Sequence, residues 1–262
     1  MVMERTLMEE LAQNSIRAEE AQAPIHPITS TIPDLTMGQA YQIQKIREEL
    51  VLRKGHRLIG GKMGLTSVAK MKQMRATESP YGKLFDYMLL KPEENLVFDE
   101  LIHPRVEGEI AFIMKKDLYG PFVTPADVLD ATYMVFPAYE IIDSRYFGFQ
   151  FKTVDSVADN ISAARFKLGK DGCVPGKLCL EQLGVITRFS DGSELFATGG
   201  AVLGHPARAV AMYVNLISKF NDGLLKDQIV LSGAITAATP VGKGWSVHSQ
   251  FQGMGEISLQ VD

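Results

Sequence analysis

Arg105-Val-Glu-Gly-Glu-Ile-Ala-Phe-Ile-Met114 is the stretch of sequence that decides the fold, because it is an apolar run with two glutamates near its start. The side chains of a β-strand alternate between its two faces, so Glu107 and Glu109 point to the same side. Two anions on a mostly apolar strand cost free energy unless a cation compensates them. The pattern therefore predicts either a metal-binding strand or the solvated face of a half-exposed strand.

A third carboxylate, Glu140, lies in a second apolar run, Phe136-Pro-Ala-Tyr-Glu-Ile-Ile142. Its apolar neighbours indicate a buried strand, where a solvated acidic face is a poor explanation. Carboxylate oxygens are hard ligands of the kind that Mg²⁺ and Mn²⁺ prefer, and three of them leave positions for water and a chelating substrate. Glu107, Glu109 and Glu140 are therefore the candidate metal ligands.

The composition indicates a globular protein that acts on a small molecule. The chain has 262 residues, 46% of them hydrophobic, and a net charge of −4 without a dense Lys/Arg block, so we expect no nucleic-acid partner. No apolar stretch approaches the roughly 20 residues of a membrane span. Cys173 and Cys179 have no partners at zinc-like spacing and predict no disulfide framework, so we expect a cytoplasmic protein.

The N-terminal part of the sequence is helical in pattern. Residues 6–21 suit a helix, and three prolines then impose an extended connector. Thr36 can cap a second helix with Gln39 closing a capping box, and Gly55 ends it. We expect a helical N-terminal region over residues 1–55 and a β-rich catalytic core over residues 56–262.

The remainder reads mostly as short strands separated by turn signals. A third helix is predicted at 206–220, with Pro206 in its first position, and strands are predicted at 228–232, 245–251 and 256–261. This order predicts an α+β chain with a largely antiparallel or mixed β core.

Lys62 lies between glycines in Leu58-Ile-Gly-Gly-Lys-Met-Gly-Leu-Thr66, where the backbone can approach a ligand closely. It can be a buried cation that faces a carboxylate, a proton donor with a depressed pKa, or a surface lysine beside a turn. The glycine spacing matches neither dinucleotide nor Walker motifs, so a nucleotide loop is not expected.

Two further segments are candidates for orienting a small polar ligand. Asp155-Ser-Val-Ala-Asp-Asn-Ile-Ser162 concentrates short polar side chains, which are equally suited to capping and turns. Ser232-Gly-Ala-Ile-Thr-Ala-Ala238 fits either a pocket wall or a close-packed strand. His205 precedes Pro206 and is either a helix-start residue or a catalytic base.

Several motifs together resemble one enzyme group. They are Gly-Lys-Met-Gly-Leu-Thr-Ser at 61–67, Glu-x-Glu at 107–109, Pro-Ala-Tyr-Glu at 137–140, Asp-Ser-Arg-Tyr at 143–146, Val-Ala-Asp-Asn at 157–160 and Val-Leu-Gly-His-Pro at 202–206. In this order they resemble the 2-keto-4-pentenoate hydratase and 4-oxalocrotonate decarboxylase group of the fumarylacetoacetate hydrolase-like superfamily. The resemblance runs from about residue 36 to the C-terminus.

The resemblance implies a mixed β-roll core with peripheral helices. It also implies that Glu107, Glu109 and Glu140 bind Mg²⁺ or Mn²⁺ and that Lys62 faces a small 2-oxo dicarboxylic acid. The remaining candidates that it suggests are Ser162 and Asp159 as catalytic residues, and Leu65, Asn160 and Thr236 as substrate-binding residues. A homo-oligomer and a complex with a homologous hydratase are the expected assemblies.

Within the group, the decarboxylases are the closer match. Ala-Lys-Met at 69–71, Gln-Met at 73–74 and Gly-Ala-Ile-Thr-Ala-Ala-Thr-Pro-Val at 233–241 resemble their pattern. The hydratases tend to carry Pro-Asp-aromatic-Gly where this chain has Ser79-Pro-Tyr-Gly82, so the proton-handling acid of a hydratase is missing.

The resemblance therefore predicts metal-dependent decarboxylation of 4-oxalocrotonate to 2-hydroxypenta-2,4-dienoate in the meta-cleavage of aromatic rings. Hydration of 2-hydroxypenta-2,4-dienoate is the close alternative. More distant alternatives are acylpyruvate hydrolysis, with His205 as the base, and a non-enzymatic partner that stabilises a hydratase.

Overall fold

The structure is a computed structural model that describes residues 3–67 and 79–262. The decarboxylase-like motif residues at 69–71 and 73–74 lie outside the described residues, so the structure does not bear on them.

Two sheets form the β core of the described residues. The large sheet runs in the order β2-β1-β9-β4-β5-β6-β3, with β10 also paired to β4. Its strands are β1 (Leu58–Met63), β2 (Tyr81–Phe85), β3 (Leu89–Leu90), β4 (Arg105–Met114), β5 (Thr132–Ile142), β6 (Ala163–Leu168), β9 (Ile229–Leu231) and β10 (Thr239–Pro240). β1 pairs with β9 and β3 with β6 in parallel, whereas the other pairs are antiparallel, so the sheet is mixed.

The small sheet is antiparallel and packs against the large one. Its strands are β7 (Gly184–Phe189), β8 (Glu194–Thr198), β11 (Ser246–Phe251) and β12 (Gly255–Gln260), in the order β12-β11-β7-β8. The hydroxyl of Tyr139 on β5 donates to Ser249 Oγ on β11 at 2.7 Å, which satisfies a buried polar group where the sheets meet. The main apolar core includes side chains from both sheets.

Helices flank the sheets. They are α1 (Arg5–Glu20), α2 (Met37–Arg53), α3 (Pro125–Ala131), α4 (Thr153–Ala158) and α5 (Pro206–Ile217). The predicted capping box starts α2: Thr36 Oγ1 accepts from the Gln39 backbone N–H, and Gln39 Oε1 accepts from the Thr36 N–H. Every helix of the described residues is too short or too polar to cross a membrane.

The observed elements confirm the α+β class and the mixed β core. The first and third predicted helices and the three C-terminal strands lie within three residues of their predicted bounds. The division at residue 55 stays a prediction. Side chains of α1 and α2, among them Ala12 and Ile43, share an apolar cluster with Val157 and Ile161 of the predicted ligand-orienting segment.

Candidate metal centre and substrate cavity

Three carboxylates meet on one face of β4 and β5. The antiparallel register places Glu107 directly opposite Glu140, and Glu109 follows on the same face two residues along β4. One carboxylate oxygen of each residue lies within 4.8 Å of the others, and all three side chains are buried. The exposed-strand explanation is therefore wrong, since Glu109 and Glu140 are fully buried.

Lys62 supplies a positive charge to this cluster. It projects from β1, is 2% exposed, and its Nζ lies 3.0 Å from Glu140 Oε1. Burial lowers the pKa of Lys62, but the charges of Glu140, Glu107 and Glu109 outweigh that effect and hold the pKa above its usual value. The geometry thus favours the buried cation over the proton donor with a depressed pKa.

The carboxylates retain oxygens that a cation can use. Glu109 Oε2 accepts a hydrogen bond from the Gly233 N–H at 2.7 Å, whereas Glu109 Oε1 and Glu140 Oε2 are buried without a hydrogen-bond partner among the described residues. Burial raises the pKa of Glu109 well above its usual value, and the charges of Glu140 and Glu107 raise it further. Both observations indicate an excess of buried negative charge around Lys62.

A divalent cation fits this excess. Unsatisfied buried oxygens are costly, and three carboxylates with no sulfur or imidazole ligand are the donor type of Mg²⁺ and Mn²⁺. The arrangement therefore fits the predicted metal centre, while the assignment of the three residues as ligands stays a prediction.

A cavity of about 420 Å³ borders the carboxylates. Lys62 and Glu107 line it, as do Leu65 and Ser162, two of the predicted site residues. Leu65 has a positive φ of 50° and Ser162 one of 56°. A left-handed backbone at a residue other than glycine costs free energy and tends to occur at functional sites.

Residues 160–162 form an unusual turn beside the cavity. Asn160, Ile161 and Ser162 have φ values of 54°, 52° and 56°, so three successive residues are left-handed. Lys62 Nζ donates to the Ile161 carbonyl at 3.3 Å, and Ser162 Oγ is buried without a hydrogen-bond partner among the described residues. The turn therefore presents a hydroxyl to the cavity next to Lys62.

Asn160 and Asp159 hold this turn from behind and do not line the cavity. Asn160 Oδ1 accepts from the Lys83 N–H at 2.7 Å, and its Nδ2 donates to the Lys83 carbonyl at 2.9 Å. Asp159 Oδ1 accepts from Arg145 Nε at 2.6 Å and from Ser15 Oγ at 3.2 Å. These contacts favour positioning roles, and their predicted direct roles in catalysis and substrate binding stay predictions.

Thr236 also lies outside the cavity lining, directly behind the glutamate pair. Its Oγ1 accepts from the Gly108 N–H at 2.8 Å, between Glu107 and Glu109. The segment around Thr236 and Gly233 thus fixes both the backbone of β4 and the Glu109 carboxylate. This placement favours support of the metal centre over contact with substrate.

Replacing Thr236 by valine tests that support. The change leaves the buried Gly108 N–H without its acceptor, so the free energy of unfolding should fall by about 1–3 kcal/mol. Urea unfolding measures the loss, and Thr236→Ser, which keeps the hydroxyl, should recover most of it. Equal stability of the valine variant and the native protein would show that the contact contributes nothing.

Thr66 and Arg105 are among the polar cavity residues that the sequence reasoning missed. Thr66 Oγ1 is buried without a hydrogen-bond partner among the described residues. Strand alternation could have found Arg105, because it precedes Glu107 by two positions. His205, in contrast, begins α5: its Nδ1 accepts from the Ala207 N–H and its Nε2 lies 3.5 Å from Glu181, which favours the helix-start role.

Comparisons with known proteins show which enzymes this chain is similar to. No protein-family model matches the chain. It is 38% identical over 263 residues to a 4-oxalocrotonate decarboxylase of Pseudomonas sp. strain CF600, covering 98% of this chain and 99% of the relative. It is 33% identical over 254 residues to a 2-keto-4-pentenoate hydratase of Paraburkholderia xenovorans, covering 97% and 94%.

Solved structures show the same likeness. A 4-oxalocrotonate decarboxylase from Pseudomonas putida G7, complexed with magnesium and adipate, superposes with a TM-score of 0.96 at 35% identity, covering 100% of this chain and 99% of that one. A putative fumarylacetoacetate hydrolase family protein from Yersinia pestis shares the fold alone, with a TM-score of 0.57 at 10% identity, covering 77% of this chain and 92% of that one. The predicted fold class is confirmed.

The fold is of the fumarylacetoacetate hydrolase-like type. Within that type, the chain belongs to the family of 4-oxalocrotonate decarboxylases and 2-keto-4-pentenoate hydratases.

Proposed function

We propose that the protein decarboxylates 4-oxalocrotonate (2-oxo-3-hexenedioate) to 2-hydroxypenta-2,4-dienoate with release of CO₂, in the meta-cleavage route of aromatic catabolism. The observation that carries the proposal is the buried cluster of Glu107, Glu109 and Glu140 with Lys62 beside one cavity. The full-length likeness to 4-oxalocrotonate decarboxylases supports the choice of substrate.

Glu107, Glu109 and Glu140 would hold Mg²⁺ or Mn²⁺ through their carboxylate oxygens. When bound, the ion supplies a Lewis-acid charge that favours electron density on the 2-oxo oxygen of the substrate. Burial of the three ligands keeps water from competing for this charge, since electrostatic interactions strengthen in a water-excluded site.

The reaction needs an electron sink and one proton. The bond between C5 and C6 breaks, C6 leaves as CO₂, and its electron pair moves through the conjugated carbons to the 2-oxo oxygen. The resulting dienolate takes up a proton to give 2-hydroxypenta-2,4-dienoate. Because the conjugated 2-oxo group accepts the electron pair, the reaction needs no organic cofactor.

Lys62 and Ser162 are the residues placed to act on the developing charge. The raised pKa of Lys62 keeps its ammonium protonated, so it can stabilise the negative 2-oxo oxygen and orient the substrate head. Ser162 Oγ can donate a hydrogen bond to the same end, because it has no other acceptor among the described residues. Leu65 contributes to the cavity wall.

The reaction class, the cellular location and the assembly of the enzyme are part of the same proposal. We infer a divalent-metal-dependent carbon–carbon lyase that works in the cytoplasm, forms a homo-oligomer and pairs with a homologous hydratase. Hydration of 2-hydroxypenta-2,4-dienoate is the alternative activity, and the hydratases among the relatives support it. The Ser79–Gly82 stretch, which has no acid between proline and tyrosine, favours the decarboxylase.

Product analysis with the purified protein tests the proposal. Incubation with 4-oxalocrotonate and Mg²⁺ should consume the diacid and form 2-hydroxypenta-2,4-dienoate, and chelation of the metal should stop turnover. Hydration of added 2-hydroxypenta-2,4-dienoate, with the diacid left unchanged, would establish the hydratase instead. Absence of both reactions would favour the non-enzymatic partner of a hydratase.

A further inference from the structure

We propose that Arg105 binds the distal carboxylate of the substrate and thereby makes the cavity selective for dicarboxylic acids. This inference rests on the proposed function, which places the C1 carboxylate and the 2-oxo group of the same substrate at Glu107, Glu109 and Glu140.

Arg105 shares a strand face with the metal-binding glutamates. It lies two positions before Glu107 on β4, and both side chains line the same cavity. Two residues along a strand span roughly 7 Å, so the Arg105 and Glu107 side chains leave β4 about that far apart. An extended six-carbon diacid separates its two carboxyl carbons by roughly 6 Å, which matches this spacing.

The positive charge of Arg105 is available to a ligand. No carboxylate of residues 3–67 and 79–262 forms an ion pair with it, whereas the other cation of the cavity wall, Lys62, is paired with Glu140. A half-buried guanidinium without a carboxylate partner is costly unless an anion joins it. The distal carboxylate supplies that anion.

Phe149 packs against the Arg105 guanidinium. The Arg105 Cζ atom lies 3.9 Å from the centre of the Phe149 ring, and Phe149 also lines the cavity. Stacking occupies the face of the guanidinium and leaves the N–H groups at its edge to donate to a carboxylate, which can accept two of them in parallel. The pair therefore forms a preorganised carboxylate site.

The chemistry of decarboxylation indicates that the contact between Arg105 and the distal carboxylate contributes to substrate binding and not to catalysis. The distal carboxylate is an anion in the bound substrate and becomes neutral CO₂ as the bond breaks, so its attraction to Arg105 weakens along the reaction. An interaction that is stronger with the substrate than with the transition state lowers KM without raising kcat. Arg105 is accordingly a specificity-determining residue, separate from the groups that stabilise the dienolate.

The test compares adipate, a six-carbon dicarboxylate, with hexanoate, which lacks the second carboxylate. Calorimetric titration of the Mg²⁺-loaded protein measures both Kd values for the native chain and for Arg105→Met. The Kd of adipate should rise about 10- to 100-fold in the variant, as expected for a lost charge-assisted contact, while that of hexanoate changes less than about threefold. KM for 4-oxalocrotonate should rise in parallel, and kcat should stay equal or increase, because the lost contact is weaker in the transition state than in the bound substrate.

Two matched variants complete the design. Arg105→Lys keeps the charge but not the planar fork, so its adipate affinity should fall between the native protein and Arg105→Met. Arg188→Met removes an exposed arginine from β7 and should change neither ligand's Kd. If Arg105→Met does not fold, as circular dichroism would show, the same comparison with Arg105→Lys decides.

Equal weakening of adipate and hexanoate, or unchanged adipate binding, would overturn the role of Arg105. Failure of the proposed function is distinguishable from this result. If the protein binds adipate through Arg105 but releases no CO₂ from 4-oxalocrotonate, the carboxylate site stands and the decarboxylase assignment is wrong. If the protein releases CO₂ from 4-oxalocrotonate but its adipate binding does not depend on Arg105, the decarboxylase assignment stands and the role of Arg105 is wrong.

Discussion

Replacing Glu109 by glutamine will lower metal-dependent turnover by about 10³-fold or more, because the loss of one metal ligand removes several kcal/mol of transition-state stabilisation. Glutamine is the same shape and can still accept from the Gly233 N–H. The fold should therefore persist. Steady-state decarboxylation at saturating Mg²⁺ measures the loss.

The same substitution should raise the Tm of the metal-free protein. Burial and the charges of Glu140 and Glu107 raise the pKa of Glu109, so at neutral pH its ionised form destabilises the fold. Glutamine removes that buried charge. A drop in activity with a rise in metal-free Tm is a signature that general misfolding does not produce.

The exposed Glu93 provides the matched control, since Glu93→Gln makes the same chemical change at a solvent-exposed position. That variant should keep native turnover and native Tm. Full Mg²⁺-dependent activity in Glu109→Gln would refute the ligand assignment.

Replacing Arg145 by methionine should lower the free energy of unfolding by about 3–5 kcal/mol, because it leaves the buried Asp159 charge without its partner. Both side chains are fully buried, and Arg145 Nη1 also donates to the carbonyls of Asp143 and Ala163 at 2.8 and 3.0 Å. Urea unfolding followed by circular dichroism measures the change. Activity should fall as well, since Asp159 supports the turn that carries Ser162.

An exposed ion pair supplies the comparison for Arg145. Arg188 pairs with Glu194 at 2.7 Å, and both side chains are more than a third exposed, so Arg188→Met should cost less than about 1 kcal/mol. Arg145→Lys, which keeps the charge, should lie between the two variants. Equal stability of Arg145→Met and Arg188→Met would contradict a structural role for the buried pair.

Local pattern was sufficient to predict much of the fold and part of the site. Alternation on β4 placed Glu107 and Glu109 on one face, and the Thr36 capping box placed the start of α2; the structure confirms both. These features depend on residues close together in the sequence. Glu140 required more, because its position opposite Glu107 depends on the register of β4 against β5, and the family resemblance supplied that link.

Long-range contacts account for what the sequence left open. Asp159 meets Ser15, which is 144 residues away, and Thr236 meets Gly108 across 128 residues. No local periodicity encodes such pairs. The sequence could therefore assign Asp159 and Thr236 to the site, but it could not show whether they position other site residues or contact the substrate. The left-handed backbone of residues 160–162 is equally invisible to pattern, since none of the three is a glycine.

The most direct test of the account is the release of labelled CO₂ from 4-oxalocrotonate that carries carbon-13 in its distal carboxyl group. With the purified protein and Mg²⁺, the label should appear in CO₂, and a label at C1 should remain in 2-hydroxypenta-2,4-dienoate. Omission of the metal should abolish the release. Retention of the distal label in the organic product, or its release at the same rate without a divalent metal, would contradict a metal-dependent decarboxylase.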